Sequence, residues 1–386
     1  MIALRARRLL ADGVERPGWW LTIERERIVE IGPELPRGAH GVDLGDVDLV
    51  PGLIDLHSDC LEALVRPRPS AELPLSEALY EMDASLVAHG ITTNYLCIAL
   101  EGPHTRFRTR ERALATARAL QSERALLRAD HRIHLRVDVT SEDPLPLVPV
   151  FAAYEATALI SYMDHSPGQG QYANAGDWRK SYARNQSQSE VDARLAAQAA
   201  GHVGAQARQA VVAEHAHRHG AVLASHDDDG AEAVARAVEL GARICEFPVN
   251  AEAAAAAVAA GLGTVMGAPN ARRGGSHVAN LSAREALAGG WLDALASDYH
   301  PPSLICAAYA LAADGACSWA DALRLVTSGP ARIAGLSDRG RLAPGMRADV
   351  VAVAPSGRFP FVRQTWVGGV PILGVQLHPA SQGVPA

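Results

Sequence analysis

Leu53-Ile54-Asp55-Leu56-His57-Ser58-Asp59 starts as an apolar run and ends on metal-ligand chemistry. Leu53–His57 has the length and composition of a buried β-strand. His57 and Asp59 stand two apart, so on an extended chain both side chains leave the same face and can chelate one ion. Seven further runs of this kind follow: Thr92–Ile98, Ile133–Val139, Ala158–Met163, Ala221–Ser225, Arg243–Phe247, Gly263–Gly267 and Ala294–Ser297. Ala-, Leu- and Arg-rich helical stretches separate them. Eight buried-type strands alternating with helices predict an α/β fold, a parallel sheet closed as a (β/α)8 TIM-like barrel. A doubly wound open sheet is the rival, but no G-x-G-x-x-G follows the first strand.

Outward from the barrel the texture changes. Residues 1–50 contain short β segments (Ile2–Leu4, Trp19–Glu24, Arg27–Ile31) broken by Asp12-Gly13 and Gly32-Pro33. Similar segments return at 340–375, around Ala348–Val353 and Thr365–Val367. Both ends are expected to pair into one small composite β-sandwich domain, leaving 51–339 as the barrel and 376–386 as a loose tail. The Ala-rich stretches near 188–219 and 251–260 read as barrel helices that could also carry subunit contacts in a homodimer.

Composition narrows the function classes. No run is long enough to cross a bilayer, and the start Met1-Ile2-Ala3-Leu4-Arg5 reads as a strand, not as a signal peptide. Five scattered cysteines without a C-x-x-C pair suit reduced thiols and a cytoplasmic protein. A net charge of −7 gives no footprint for nucleic acid, yet local arginines could still hold an anionic substrate. Lys180 is the only lysine among 36 basic residues.

In such a barrel the chemistry sits at the carboxyl ends of the strands. His57 and Asp59 end the first, Arg136 and Asp138 the third, Asp164 and His165 the fourth. His226-Asp227-Asp228-Asp229 ends the fifth, Glu246 the sixth and Asp298 the eighth. This set predicts metal ligation by His57, Asp59, Asp164, His226, Glu246 and Asp298. Mixed imidazole and carboxylate donors suit Zn²⁺ or Mn²⁺, one ion or two, better than Ca²⁺. Asp298 is the natural base for an attacking water. The three consecutive aspartates cannot all be ligands, and at least one is expected to cap the helix starting near Gly230.

Several segments together resemble a known family. Pro51-Gly52-Leu53-Ile54-Asp55-Leu56-His57 and Gly345-Met346-Arg347-Ala348-Asp349-Val350 are similar to the amidohydrolase superfamily. Arg66-Pro67-Arg68-Pro69, Met163-Asp164-His165-Ser166-Pro167-Gly168-Gln169, Ala224-Ser225-His226-Asp227-Asp228, Met266-Gly267-Ala268-Pro269-Asn270, Arg273-Gly274-Gly275-Ser276-His277 and Ser297-Asp298-Tyr299 resemble one branch of it. That branch is the PhnM family, diphosphatases of α-D-ribose 1-methylphosphonate 5-triphosphate in the carbon–phosphorus lyase pathway. The resemblance implies a metal-dependent hydrolase that releases pyrophosphate and leaves the 5-phosphate. Arg66, Arg68, Arg136, Arg272 and Arg273, with His165 beside them, would bind the small anionic phosphorylated sugar. The turn at Gly274-Gly275-Ser276 would add backbone donors, and His277 would protonate the leaving pyrophosphate.

The chain departs from the superfamily pattern in three places. His57-Ser58-Asp59 replaces the common H-x-H. Cys60 stands where the branch favours asparagine. Lys180 lies sixteen residues beyond Asp164, too far to supply a carboxylated lysine at the fourth strand end, so none is expected. A pair of ions would then need Asp164 or Glu246 as the bridge. The Gly- and amide-rich stretch Gly168–Asn174 is suited to close over substrate. The alternative activity is the common superfamily chemistry, hydrolysis of a cyclic amide or deamination; the arginines favour phosphorus. A non-catalytic assembly role on the same fold is the third reading, and retention of the ligand set opposes it.

Overall fold

The computed structural model describes residues 1–68, 70–102, 108–168, 170, 187–274, 280–356 and 359–374. Eight parallel strands form its centre: Leu53–Ser58, Ile91–Leu100, Asp130–Asp138, Thr157–Met163, Val222–His226, Ile244–Glu246, Gly263–Gly267 and Ala294–Ala296. They pair in sequence order. The last returns to the first through a parallel bridge, Ser58 with Asp298, where Asp298 N donates to His57 O (2.9 Å) and Asp59 N to Asp298 O (2.7 Å). The barrel therefore closes on the segment that carries the first candidate ligands, His57 and Asp59.

Alternation along each strand explains two separate cores. Ile54, Leu56, Tyr95, Leu159, Ala224, Ile244, Val265, Ala294 and Ala296 fill the lumen as one cluster. Their neighbours Leu96, Ile98, Ile133, Leu135, Val137, Ile160, Tyr162 and Leu223 point outward and pack with the helices. Above the apolar lumen layer the inward positions become polar, which confines the chemistry to one end of the barrel.

The chain ends build two further sheets. One has four strands, Arg27–Gly32, Trp20–Glu24, Ile2–Arg5 and His40–Asp43; the other has six and joins Arg8–Ala11, Val14–Pro17 and Asp48–Pro51 to Val350–Ser356, Phe359–Val367 and Val370–Gly374. Leu4, Leu21 and Ile28 of the first sheet share a core with Leu9, Leu49, Val350 and Trp366 of the second, which makes the pair a sandwich. Gly52 marks the junction with the barrel: a Cβ there would lie 2.1 Å from Thr92 Oγ1 and 2.9 Å from Asp349 Cβ. The tail, Lys180 and most of the Gly168–Asn174 loop lie outside the described residues.

One expectation is corrected. No aspartate of the 227–229 run caps the helix Ala231–Glu239, whose N-cap is Gly230 without a side-chain bond. Each is engaged elsewhere: Asp227 with histidines, Asp228 with Ser225 and Cys245, and Asp229 with the Gly170 N–H at 3.0 Å. Glu252 of the following helix reaches back instead and accepts from Ala231 N at 3.3 Å.

Candidate active site

A cavity of about 310 Å³ opens at the carboxyl end of the barrel. His57, Asp59, Arg136, His226, Asp227, Phe247, Asn270, Arg273, Asp298 and Tyr299 are among its walls. Asp227, Phe247 and Asp298, at the ends of the fifth, sixth and eighth barrel strands, take φ of +58°, +54° and +58°. Non-glycine residues pay for that conformation, and such strain collects where side chains must be aimed. Here it turns each strand end at the cavity wall.

His57 is 1% exposed, and its Nδ1 donates to Glu246 Oε1 at 2.8 Å. Burial alone would raise the Glu246 carboxyl, but His57, His134 and His226 outweigh it and hold the group at about 2, so it is an ionised acceptor. That bond fixes the imidazole with Nε2 toward Asp59 Oδ2, 3.5 Å away. His57, Asp59 and Asp298 each offer a ligand atom within 4.8 Å of the others. One imidazole nitrogen and two carboxylates, with the ring oriented by a third carboxylate, fit a divalent cation. Burial pushes the Asp298 carboxyl up and the Asp59 charge adds to this, partly offset by His57 and Arg136. A raised carboxyl is the better proton acceptor.

Arg136 is buried in the middle of this group. Its Nη1 donates to Asp59 Oδ2 at 2.7 Å and its Nη2 to His226 Nε2 at 3.3 Å. Burial would raise the Asp59 carboxyl; the Arg136 charge and His57 reverse this and hold it well below the usual range. His226 Nδ1 faces Asp227 Oδ2 at 3.0 Å, and His165 Nε2 lies 3.4 Å from the same oxygen. Below them His134 uses both ring nitrogens, Nδ1 donating to Leu56 O (3.0 Å) and Nε2 accepting from Ser161 Oγ (2.9 Å).

The remaining expected residues divide. Arg273 lines the cavity, whereas Arg272 stacks on Phe359 at 5.5 Å. Arg66 ends the short helix Leu61–Val65, and the exposed Arg68 bridges Ala71; neither is part of this wall. Asp164 does not join the cluster: its carboxylate accepts from His202 Nδ1 (2.8 Å) and Ser166 N (3.0 Å). Ser276 and His277 lie outside the described residues. Cys60 is buried, with Sγ 3.3 Å from Ser58 Oγ, and burial pushes its thiol up to about 12, as suits a packing role.

Sequence reasoning missed three features. Asp55 lies under His57 and holds the barrel seam, accepting from Ser297 N (3.0 Å), Ser297 Oγ and His57 N (3.3 Å). Asn270 and Tyr299 complete the cavity wall. Asp55 could have been noticed as a lone carboxylate inside an otherwise apolar strand, where a buried charge needs several donors.

Comparison with known proteins follows the same lines. Residues 172–373 match the sequence model of the amidohydrolase family. The α-D-ribose 1-methylphosphonate 5-triphosphate diphosphatase of Escherichia coli (strain K12) is 37% identical over 334 residues, 83% of this chain and 87% of that protein. Among solved structures, N-acetyl-D-glucosamine-6-phosphate deacetylase from Mycobacterium smegmatis superposes with a TM-score of 0.65 at 17% identity, over 97% of this chain and 100% of the other. Dihydropyrimidinase from Brevibacillus agri NCHU1002 also gives 0.65, at 13% identity, over 97% and 95%. These two likenesses concern the fold alone. The family match and the 37% relative carry more: the chain belongs to the amidohydrolase family and is a hydrolytic enzyme.

Proposed function

We propose that this enzyme hydrolyses α-D-ribose 1-methylphosphonate 5-triphosphate to the 5-phosphate and pyrophosphate. The reading rests on one observation above all: the His57, Asp59 and Asp298 group opens into the same cavity as Arg273 and Asn270. A cyclic amide needs few cations around it, whereas a triphosphate needs several donors beside the reacting centre. The 37% identical relative is named for this substrate.

His57, Asp59 and Asp298 would hold the divalent metal, zinc or manganese. When bound, such an ion makes hydroxide available near neutral pH and offsets phosphoryl charge. The protein's own groups do the rest. Glu246 keeps the His57 ring in place, and Asp298 takes a proton from the attacking water. Arg273 and Asn270 hold phosphoryl oxygens away from the cleaved bond. Water adds to one phosphorus of the α–β linkage, the bridging oxygen leaves with the other, and the proton passes to bulk solvent. The product would serve the carbon–phosphorus lyase step of phosphonate catabolism.

Phosphorus NMR of the Mn²⁺- or Zn²⁺-loaded enzyme with this triphosphate tests the reading. Pyrophosphate and a 5-monophosphate should appear together in equal amounts. Stepwise orthophosphate, or turnover of dihydropyrimidine-type cyclic amides instead, would overturn it.

A further inference from the structure

We propose that Glu101, just past the carboxyl end of the second barrel strand, is a positioning residue that acts through Arg108 on the segment carrying Asp59. The inference rests on the metal-hydrolase reading above and gives a role to a side chain that stands outside the cavity wall.

The second strand, Ile91–Leu100, runs straight into Glu101, whose side chain is only 7% exposed. A carboxylate so placed needs charged donors. Two arginines supply them from separate elements: Arg108 Nη1 donates at 2.6 Å and Arg194 Nη2 at 3.2 Å. Burial would raise the Glu101 carboxyl, but the Arg108 and Arg194 charges outweigh it and hold the group at about 2. Arg194 belongs to the helix Gln188–His202 that follows the fourth strand, and Arg108 precedes the helix Arg110–Glu123. Glu101 therefore ties two βα connections to its own strand end.

Arg108 carries the contact onward to the first connection. Its Nε donates to Glu62 Oε1 at 2.7 Å and its Nη2 to Glu62 Oε2 at 3.2 Å. A two-point grip fixes the plane of the carboxylate as well as its distance, which a single point charge does not. Glu62 lies in the first turn of the short helix Leu61–Val65, three residues after Asp59, and the N-cap Cys60 makes no side-chain bond. The polar hold on this turn therefore comes from Arg108. Asp59, Glu62 and Arg108 meet around one small cavity of about 40 Å³ behind the candidate ligand. Arg136 grips the Asp59 carboxylate from the other side at 2.7 Å. Asp59 is thus aimed by two arginines, one on its carboxylate and one on the chain that follows it.

The test is a Mn²⁺ titration of the chelator-stripped enzyme, read by electron paramagnetic resonance, on variants checked for folding by circular dichroism. Glu101→Gln keeps the volume and removes the charge that draws both arginines. Arg108→Lys keeps the charge and loses the two-point grip. Each should weaken Mn²⁺ binding by about 10-fold or more, and at saturating Mn²⁺ should lower kcat while KM changes little. Asp83→Asn is the control: it cuts a buried network of similar make at the amino end of the third strand. It should lose stability and keep the wild-type dissociation constant. Wild-type Mn²⁺ affinity in either folded variant, or an equal loss of affinity in Asp83→Asn, would overturn the proposal and leave the hydrolase reading intact. A wild-type enzyme that binds no Mn²⁺ and releases no pyrophosphate would overturn both. If Glu101→Gln does not fold, Arg108→Lys decides.

Discussion

Asp298 combines a left-handed backbone, a raised carboxyl and a place beside His57 and Asp59. Its backbone also carries two backbone–backbone hydrogen bonds of the barrel seam. Asp298→Asn keeps those backbone bonds and the side-chain volume, so the melting temperature should change little. Turnover should fall by about 10²–10⁴, the usual contribution of a positioned base; near-normal kcat would exclude the role. Glu246→Gln should act differently. It leaves His57 Nδ1 with a neutral, weaker acceptor and should weaken metal binding by about 10–100-fold, read from a metal titration. The candidate residues at strand ends were legible because barrel topology fixes where ends lie. The roles of Arg136 and Asp227 were not, since they depend on which neighbours on other strands come within 3.5 Å. Asp164 shows the same limit: its strand end was correctly located, yet His202, on a helix 38 residues later, captures the carboxylate.

At the level of elements, the helix Leu75–Ala88 is fastened to the third barrel strand by one carboxylate. Asp83, with 0% exposure, accepts from Arg128 N (3.0 Å), Ala129 N (2.9 Å), Arg128 Nη1 (3.0 Å) and His131 Nε2 (3.0 Å). Burial would raise its carboxyl, but these donors outweigh it and hold the group below the ordinary value. A depressed folded pKa means that the stabilisation is present above the unfolded value of about 3.9 and is lost as pH falls through the folded one. Asp83→Asn should therefore cost about 2 kcal/mol at pH 7 and progressively less below pH about 4, measured by urea unfolding. A penalty that does not change with pH would place the effect in packing. All eight barrel strands were legible as apolar runs. The strands Arg8–Ala11, Val14–Pro17 and His40–Asp43 were not, because four-residue segments are too short to show a period-2 signal and are held by their partners.

For the whole molecule, Asp48 is a polar tie between the terminal sheets and the barrel layer. Buried at the start of an interior strand of the six-stranded sheet, it accepts from Arg7 Nη2 (2.6 Å), Arg8 Nε (2.7 Å), Arg8 Nη2 (2.9 Å) and the Tyr309 hydroxyl (2.9 Å). Tyr309 belongs to the helix Ser303–Ala313 of the barrel layer. The arginines stay partly exposed and can be rehydrated, so removing the carboxylate should cost about 1–3 kcal/mol, chiefly its charged hydrogen bonds. Asp48→Ala should lower the denaturation midpoint accordingly, and its unfolding curve should broaden as the sheets and barrel lose their common transition. A midpoint within error of wild type would show that the apolar contacts of Leu10, Val50, Val351 and Val353 with the barrel layer suffice to join the two parts.

The composite sheet also sets an order of events in the cell. Asp48–Pro51 pairs with Val350–Val353, partners separated by about 300 residues of chain. At ribosomal speeds of about 5–20 residues per second, the early strand waits roughly 15–60 s before its mate is synthesised. During that interval its open edge is available to strands of other nascent chains. Successful synthesis of this enzyme therefore depends on guarding its first fifty residues until the last fifty arrive.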